Sequence, residues 1–162
     1  MTKTIDKQAL IIALVPVLAA ALLGSMFTFL GMDAYRALHH PSFAPPEWVF
    51  PAVWSALYLL MILSGYQVAR RQRDPGLCSG ALFLFSLQLA VNALWPMFFF
   101  ALGWRYTAFA WLLLLLALSA FMTRVFWRIR KSAGALQLPY LAWLLFAAAL
   151  NLATALLNGG AR

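Results

Sequence analysis

The sequence predicts an all-α fold, a polytopic membrane protein built as a five-transmembrane-helix bundle in one domain spanning residues 1–162. Three observations carry that reading. Charged residues make up only 10% of the chain and hydrophobic ones 65%, whereas soluble domains carry roughly 25% charge. The mean hydropathy is +0.85, and the apolar residues fall in five runs, at about Ala9–Leu30, Glu47–Ala69, Leu77–Ala101, Tyr106–Val125 and Ala135–Leu157. Each is close to the ~20 residues that cross a bilayer. The basic residues behind the net charge of +8 sit in short clusters between the runs. That is the topogenic pattern of membrane loops, not the basic face of a nucleic-acid-binding protein.

The first run follows Lys3 and Lys7 and so resembles a signal peptide. It exceeds the h-region length of about 7–15 residues, and reads as a retained helix. Within it "AALLGS" pairs Ala20 with Gly24 and Ala21 with Ser25, small residues that let another helix approach closely. The connection "GMDAYRALHHPSFAPP" leads to the second run, whose prolines suit a helix start. Glu47 is expected in the first turn of that helix, where a carboxylate favours the helix dipole. The remaining connections, "RRQRDPG", "LGWR" and "WRIRKSAG", are short, so consecutive helices should be antiparallel neighbours. Cys78 is the single cysteine, which excludes an intrachain disulfide.

Loop charges predict the orientation. Lys3, Lys7, Arg70, Arg71, Arg73, Arg124, Arg128, Arg130 and Lys131 lie on the N-terminal side of the membrane, against only Arg36, Arg105 and Arg162 on the other. The bias places the N-terminus in the cytoplasm and the C-terminus outside, as in a bacterial inner membrane.

Inside the spans the polar groups are amides and aromatic tips rather than acids. Asp6, Asp33 and Asp74 fall at ends or in loops, which argues against a transporter driven through buried carboxylates. Three helices carry stripes at helical spacing: Phe50, Trp54, Tyr58, Met61 and Gly65 in the second; Gln88, Asn92, Trp95 and Phe99 in the third; Tyr140, Trp143, Ala147, Asn151 and Thr154 in the fifth. Lipid has no use for indole N–H or carboxamide groups, so these stripes should turn inward. Any one of them is explained by packing against a neighbour. Three together suggest a pocket of flat rings and a few amides, without charge, for a planar apolar ligand. Trp48, Trp104 and Trp127 sit near span ends and read as interfacial anchors; Trp111 is open to either reading. His39 and His40 are adjacent in a loop with no third ligand apparent, and read as a solvated pair rather than a metal site.

The stretches "HPSFAPPEWVFPAVWSALY", "QLAVNALWPMFF" and "PYLAWLLFAAALN", in this order and on three different spans, resemble the TspO/MBR family, the tryptophan-rich sensory proteins related to the translocator protein or peripheral benzodiazepine receptor. The resemblance covers nearly the whole chain. It implies a five-helix membrane protein, commonly a homodimer, that binds porphyrins, cholesterol or other sterols and benzodiazepine-type ligands beneath the loop joining the first two helices. Carried over by motif position, the ligand-binding residues are Phe50, Trp54, Tyr58, Asn92, Trp95, Trp143, Ala147 and Leu150. Trp54 and Trp143 match the tryptophans associated with light-dependent porphyrin breakdown in bacterial relatives. Ala34 and Phe43 stand where the family often has tryptophan, and "NLATALLNGGAR" lacks the tyrosine of a cholesterol-recognition motif.

The leading expectation is therefore a protein that senses, carries or buffers a tetrapyrrole such as protoporphyrin IX or haem, with no required cofactor and no nucleic-acid partner. The alternatives are light- and oxygen-dependent porphyrin degradation using Trp54 and Trp143, and a non-catalytic interaction protein assembling through its helices. No metal site, nucleophile–base pair or nucleotide motif marks ordinary catalysis.

Overall fold

A computed structural model describes residues 5–70 and 75–159. Lys3, Arg71, Arg73 and Arg162, which enter the charge bias, and Asp74 lie outside the described residues. The elements are α1 (Lys7–Arg36), α2 (Val49–Ala69), α3 (Pro75–Pro96) continuing into a π-helical turn (Met97–Ala101), α4 (Arg105–Ile129), the short α5 (Lys131–Ala135) and α6 (Leu138–Leu157). Five helical stretches are long and apolar enough to cross a membrane. The chain is a multi-pass membrane protein.

Local chemistry explains most of the boundaries. Asp6 caps α1, its carboxylate accepting from the Ala9 N–H at 3.1 Å, while its own N–H donates to the Tyr66 hydroxyl at 3.2 Å and ties α1 to the end of α2. α1 then runs to Arg36, six residues beyond the apolar run that ends at Leu30. Pro96 has no N–H with which to continue the α-helical ladder. The backbone after it widens, the Leu102 N–H reaching back five residues to the Met97 carbonyl at 2.9 Å. Gly103, at φ 67°, then supplies the left-handed residue that turns the chain into α4. Arg130 is extended, at φ −156° and ψ 119°, and this one residue separates α4 from α5. The connection "WRIRKSAG" is thus mostly helical.

α1 packs against α2 and α3, and α4 against α3 and α6. The core between them includes Met61, Phe85, Leu89, Leu112, Leu115, Met122, Phe126 and Leu144. Several of its polar members are bonded across or within helices. The Gln88 Oε1 accepts from the Tyr140 hydroxyl at 3.1 Å, Ser64 donates to the Ala133 carbonyl at 2.7 Å, and Thr123 bonds back to the Ser119 carbonyl at 2.7 Å. The outer surface is apolar, with Leu22, Leu59, Phe83 and Phe121 all exposed, as a face against hydrocarbon requires.

Glu47 departs from the sequence expectation. α2 begins at Val49 with no acidic residue in its first turn. The three residues ahead of it form a turn in which the Val49 N–H bonds the Pro46 carbonyl at 3.0 Å. Glu47 is drawn instead to Arg36, whose full charge at hydrogen-bond distance outweighs a helix terminus carrying about half a charge.

Candidate functional site: an aromatic cavity at the loop end of the bundle

The three stripes do turn inward, and they divide by depth. Met61, Gly65, Gln88, Tyr140 and Thr154 are buried in the core. The remaining stripe residues, Phe50, Trp54 and Tyr58 of α2, Asn92, Trp95 and Phe99 of α3 and its π turn, and Trp143, Ala147 and Asn151 of α6, line one cavity of about 700 Å³, as does Leu150. All eight residues carried over from the family motif lie on this wall. Rings are its main material. Trp54 lies 5.3 Å from Tyr58 and 6.3 Å from Tyr140 between centroids. Phe50 meets Trp143 edge-on at 6.1 Å, joining α2 to α6. Trp95 stacks on Phe99 at 5.2 Å with 19° between planes.

A few polar bonds hold these rings in place. The Trp95 Nε1–H donates to the Asn151 Oδ1 at 3.2 Å, and the Asn151 Nδ2–H donates to the Arg105 carbonyl at 2.9 Å, so one carboxamide links α3, α6 and the start of α4. Asn92 is buried beside the Tyr58 hydroxyl, and its Nδ2 makes no well-formed hydrogen bond. A buried N–H left unpaired is costly, and this one belongs to a residue of the cavity wall.

Two features of the cavity escaped the sequence reading. The first is the wall contributed by α1, with Gly24, Ser25, Thr28, Phe29 and Met32 among its members. The small residues of "AALLGS" hinted at it, but their spacing could not distinguish helix packing from cavity lining. Gly31 brings α1 against the π turn: a Cβ there would collide with the Phe100 carbonyl oxygen. The second is charge. The expected pocket was uncharged, yet Asp33, Arg36 and Glu47 line the cavity at its loop end. The reason is the six-residue overrun of α1, which carries Asp33 and Arg36 above the apolar wall. The Arg36 guanidinium holds the Glu47 carboxylate in a two-point pair, 3.1 Å from Nε to Oε1 and 2.9 Å from Nη2 to Oε2. This hydrogen bond is the chief reason the Glu47 carboxyl titrates below its ordinary value.

The connecting loop is fastened over the same end. Phe43 meets Phe146 of the cavity wall at 6.4 Å, and the His40 ring lies 4.6 Å from Tyr35. Both histidines are exposed, as expected of a solvated pair; His40 also packs on Tyr35, and the His39 backbone bonds Asn158. Of the other tryptophans, Trp48, Trp104 and Trp127 are exposed at helix ends. Trp111 is decided for packing, its Nε1–H donating to the Val91 carbonyl at 2.7 Å and its ring lying 5.0 Å from Phe98.

These features define a class: helical multi-pass membrane proteins with an aromatic-walled cavity and the first loop fastened at one end of it. The sequence matches the TspO/MBR family over residues 12–157, and the chain belongs to that family. It is 39% identical over 127 residues to the protein CrtK of Rhodobacter capsulatus, covering 78% of this chain and 79% of that one. The tryptophan-rich protein TspO of Archaeoglobus fulgidus is 35% identical over 152 residues, 92% of this chain and 96% of its own. The human translocator protein is 37% identical over 127 residues, 75% of this chain and 72% of its own.

Proposed function

We propose that the cavity binds a planar, largely apolar tetrapyrrole, and that the protein senses, carries or buffers this ligand in the membrane; sterols and benzodiazepine-type molecules are the other candidates. One observation carries the reading: a cavity of about 700 Å³ walled by rings from several helices, within the range of about 300–1,000 Å³ usual for small-molecule sites. Flat rings favour a flat ligand through offset and edge contacts. The unpaired Asn92 Nδ2–H offers one donor to an acceptor on it. Membership of a family whose relatives are called tryptophan-rich sensory protein and translocator protein agrees with sensing or carriage. The test is a titration of the purified chain with protoporphyrin IX, followed by tryptophan fluorescence. Saturable quenching is expected, and its absence would sink the reading.

A second reading, light- and oxygen-dependent porphyrin breakdown, is favoured by the placement of two oxidisable indoles, Trp54 and Trp143, on the same wall. Aerobic illumination of the complex separates the two, because only breakdown yields a new pigment that Trp54→Phe/Trp143→Phe fails to form. The same proposal has the protein as a homodimer, which cross-linking in native membranes checks. It also has the N-terminus in the cytoplasm, on the nine-to-three charge bias. A reporter fused after Arg162 should then be active outside the cytoplasm and one in "RRQRDPG" inside it.

A further inference from the structure

Among the described residues, Arg36 is the only lysine or arginine on the cavity wall. Its guanidinium presents the planar fork that matches a carboxylate at two points, and Glu47 occupies that fork. The occupant sits in the turn ahead of α2 rather than within a helix. Both partners are about half exposed, 56% and 49% at the side chain, and an ion pair so placed stabilises only weakly. One carboxylate can therefore exchange for another at little cost. Asp33 stands 3.6 Å from the Arg36 Nη1, so with Glu47 in place the loop end carries two carboxylates against one guanidinium. An incoming anion gains there only if Glu47 leaves. The wall below is apolar, and burying a carboxylate in it is costly. A ligand with both an apolar plate and a carboxylate thus has one favourable orientation, plate inward and carboxylate at Arg36.

We propose that Arg36 is the specificity-determining residue of this cavity: a ligand carboxylate displaces Glu47 from its guanidinium, so that planar apolar ligands bearing a carboxylate at one edge are selected over their neutral isosteres. The proposal rests on the tetrapyrrole reading above and adds the charge of the ligand to it. Glu47 acts as a built-in competitor, holding the fork until a ligand takes it.

The experiment compares protoporphyrin IX, a dicarboxylate, with its dimethyl ester on the detergent-purified full chain by tryptophan quenching. The unaltered protein should bind the acid more tightly than the ester by about threefold, because the Glu47 pair is lost as the ligand's pair with Arg36 forms. Arg36→Gln should bring the acid down to the ester's affinity while leaving the ester unchanged. Glu47→Gln should tighten the acid severalfold, again without moving the ester. Equal affinities for acid and ester in the unaltered protein would overturn the proposal. So would an acid preference that survives Arg36→Gln, a parallel loss of both ligands in that variant, or weaker acid binding in Glu47→Gln. If neither porphyrin quenches the unaltered protein, the tetrapyrrole reading itself fails and the selectivity falls with it.

Discussion

Asn158, just past the end of α6, is bonded twice to His39 in the first loop. Its Oδ1 accepts from the His39 N–H at 2.8 Å, and its Nδ2–H donates to the His39 carbonyl at 2.8 Å. A carboxamide here completes the pair of bonds that one strand would offer another, and so fastens the loop to the far end of the chain. We expect Asn158→Ala to lower stability by about 1 kcal/mol, and to raise both association and dissociation rates of a porphyrin with little change in their ratio. Asn158→Asp keeps the acceptor and loses the donor, so it should fall between the two. Stopped-flow quenching measures the rates; unaltered rates in Asn158→Ala would show that the loop does not control access.

The tryptophans should separate by position. Trp54 and Trp143 are on the cavity wall, whereas Trp48 and Trp127 are exposed at helix ends. Trp54→Phe and Trp143→Phe should each weaken porphyrin binding by roughly 0.5–1.5 kcal/mol, the worth of an aromatic contact. Together they should remove most of the quenching. Trp48→Phe and Trp127→Phe should leave affinity nearly unchanged. A uniform effect of all four would mean that these residues act through general stability.

Gly31 tests the close approach of α1 to the π turn. Its missing Cβ leaves room for the Phe100 backbone, with which a side chain would collide. Because the obstacle is backbone rather than a flexible side chain, the helix or the turn must shift. Gly31→Ala should cost about 1–3 kcal/mol, the usual penalty of overpacking, seen as a lower melting temperature in detergent. Ligand affinity should fall as well, since Phe99 and Phe100 of the displaced turn line the cavity. An unchanged melting temperature would contradict the contact.

The Arg36–Glu47 pair gives the loop a pH dependence whose sign follows from Glu47. Its carboxyl titrates below the ordinary value in the closed loop, chiefly through the Arg36 hydrogen bond. The clasp is therefore complete at pH above the ordinary carboxylate range, and is lost as pH falls through the lowered closed-state value. Limited proteolysis of the loop should accelerate on acidification through that window. In Glu47→Gln the acid-induced step should vanish, leaving a constant rate; a persisting step would assign it to another group.

Much of the cavity was legible in the sequence because helical spacing and side-chain chemistry pointed the same way. Trp54, Asn92, Trp95 and Trp143 recur on single faces and carry polar tips that hydrocarbon does not satisfy, so their inward direction followed without coordinates. The α1 wall was not legible. Gly24, Ser25 and Thr28 are small residues on an apolar helix, and either close packing or an open cavity accounts for them. The charged end was hidden for another reason. Hydropathy stops at Leu30, but the backbone has no cause to stop there, and α1 continues to Arg36.

The class of the fold, the five spans and the inward faces of three of them follow from local composition and spacing, because lipid forces every backbone polar group into a helix and every carboxamide away from its surface. The tertiary structure alone decided how far each stripe reaches, with Gln88 and Tyr140 joined in the core and Asn92 and Trp143 facing open space. It also decided the partner of Glu47. A helix start and an arginine eleven residues earlier compete for that carboxylate, and the distance between them in space is set by how α1 and α2 pack, not by any local pattern. Gly31 shows the same division: its lack of a side chain is written in the sequence, but only the approach of the Phe100 carbonyl explains why that space is needed.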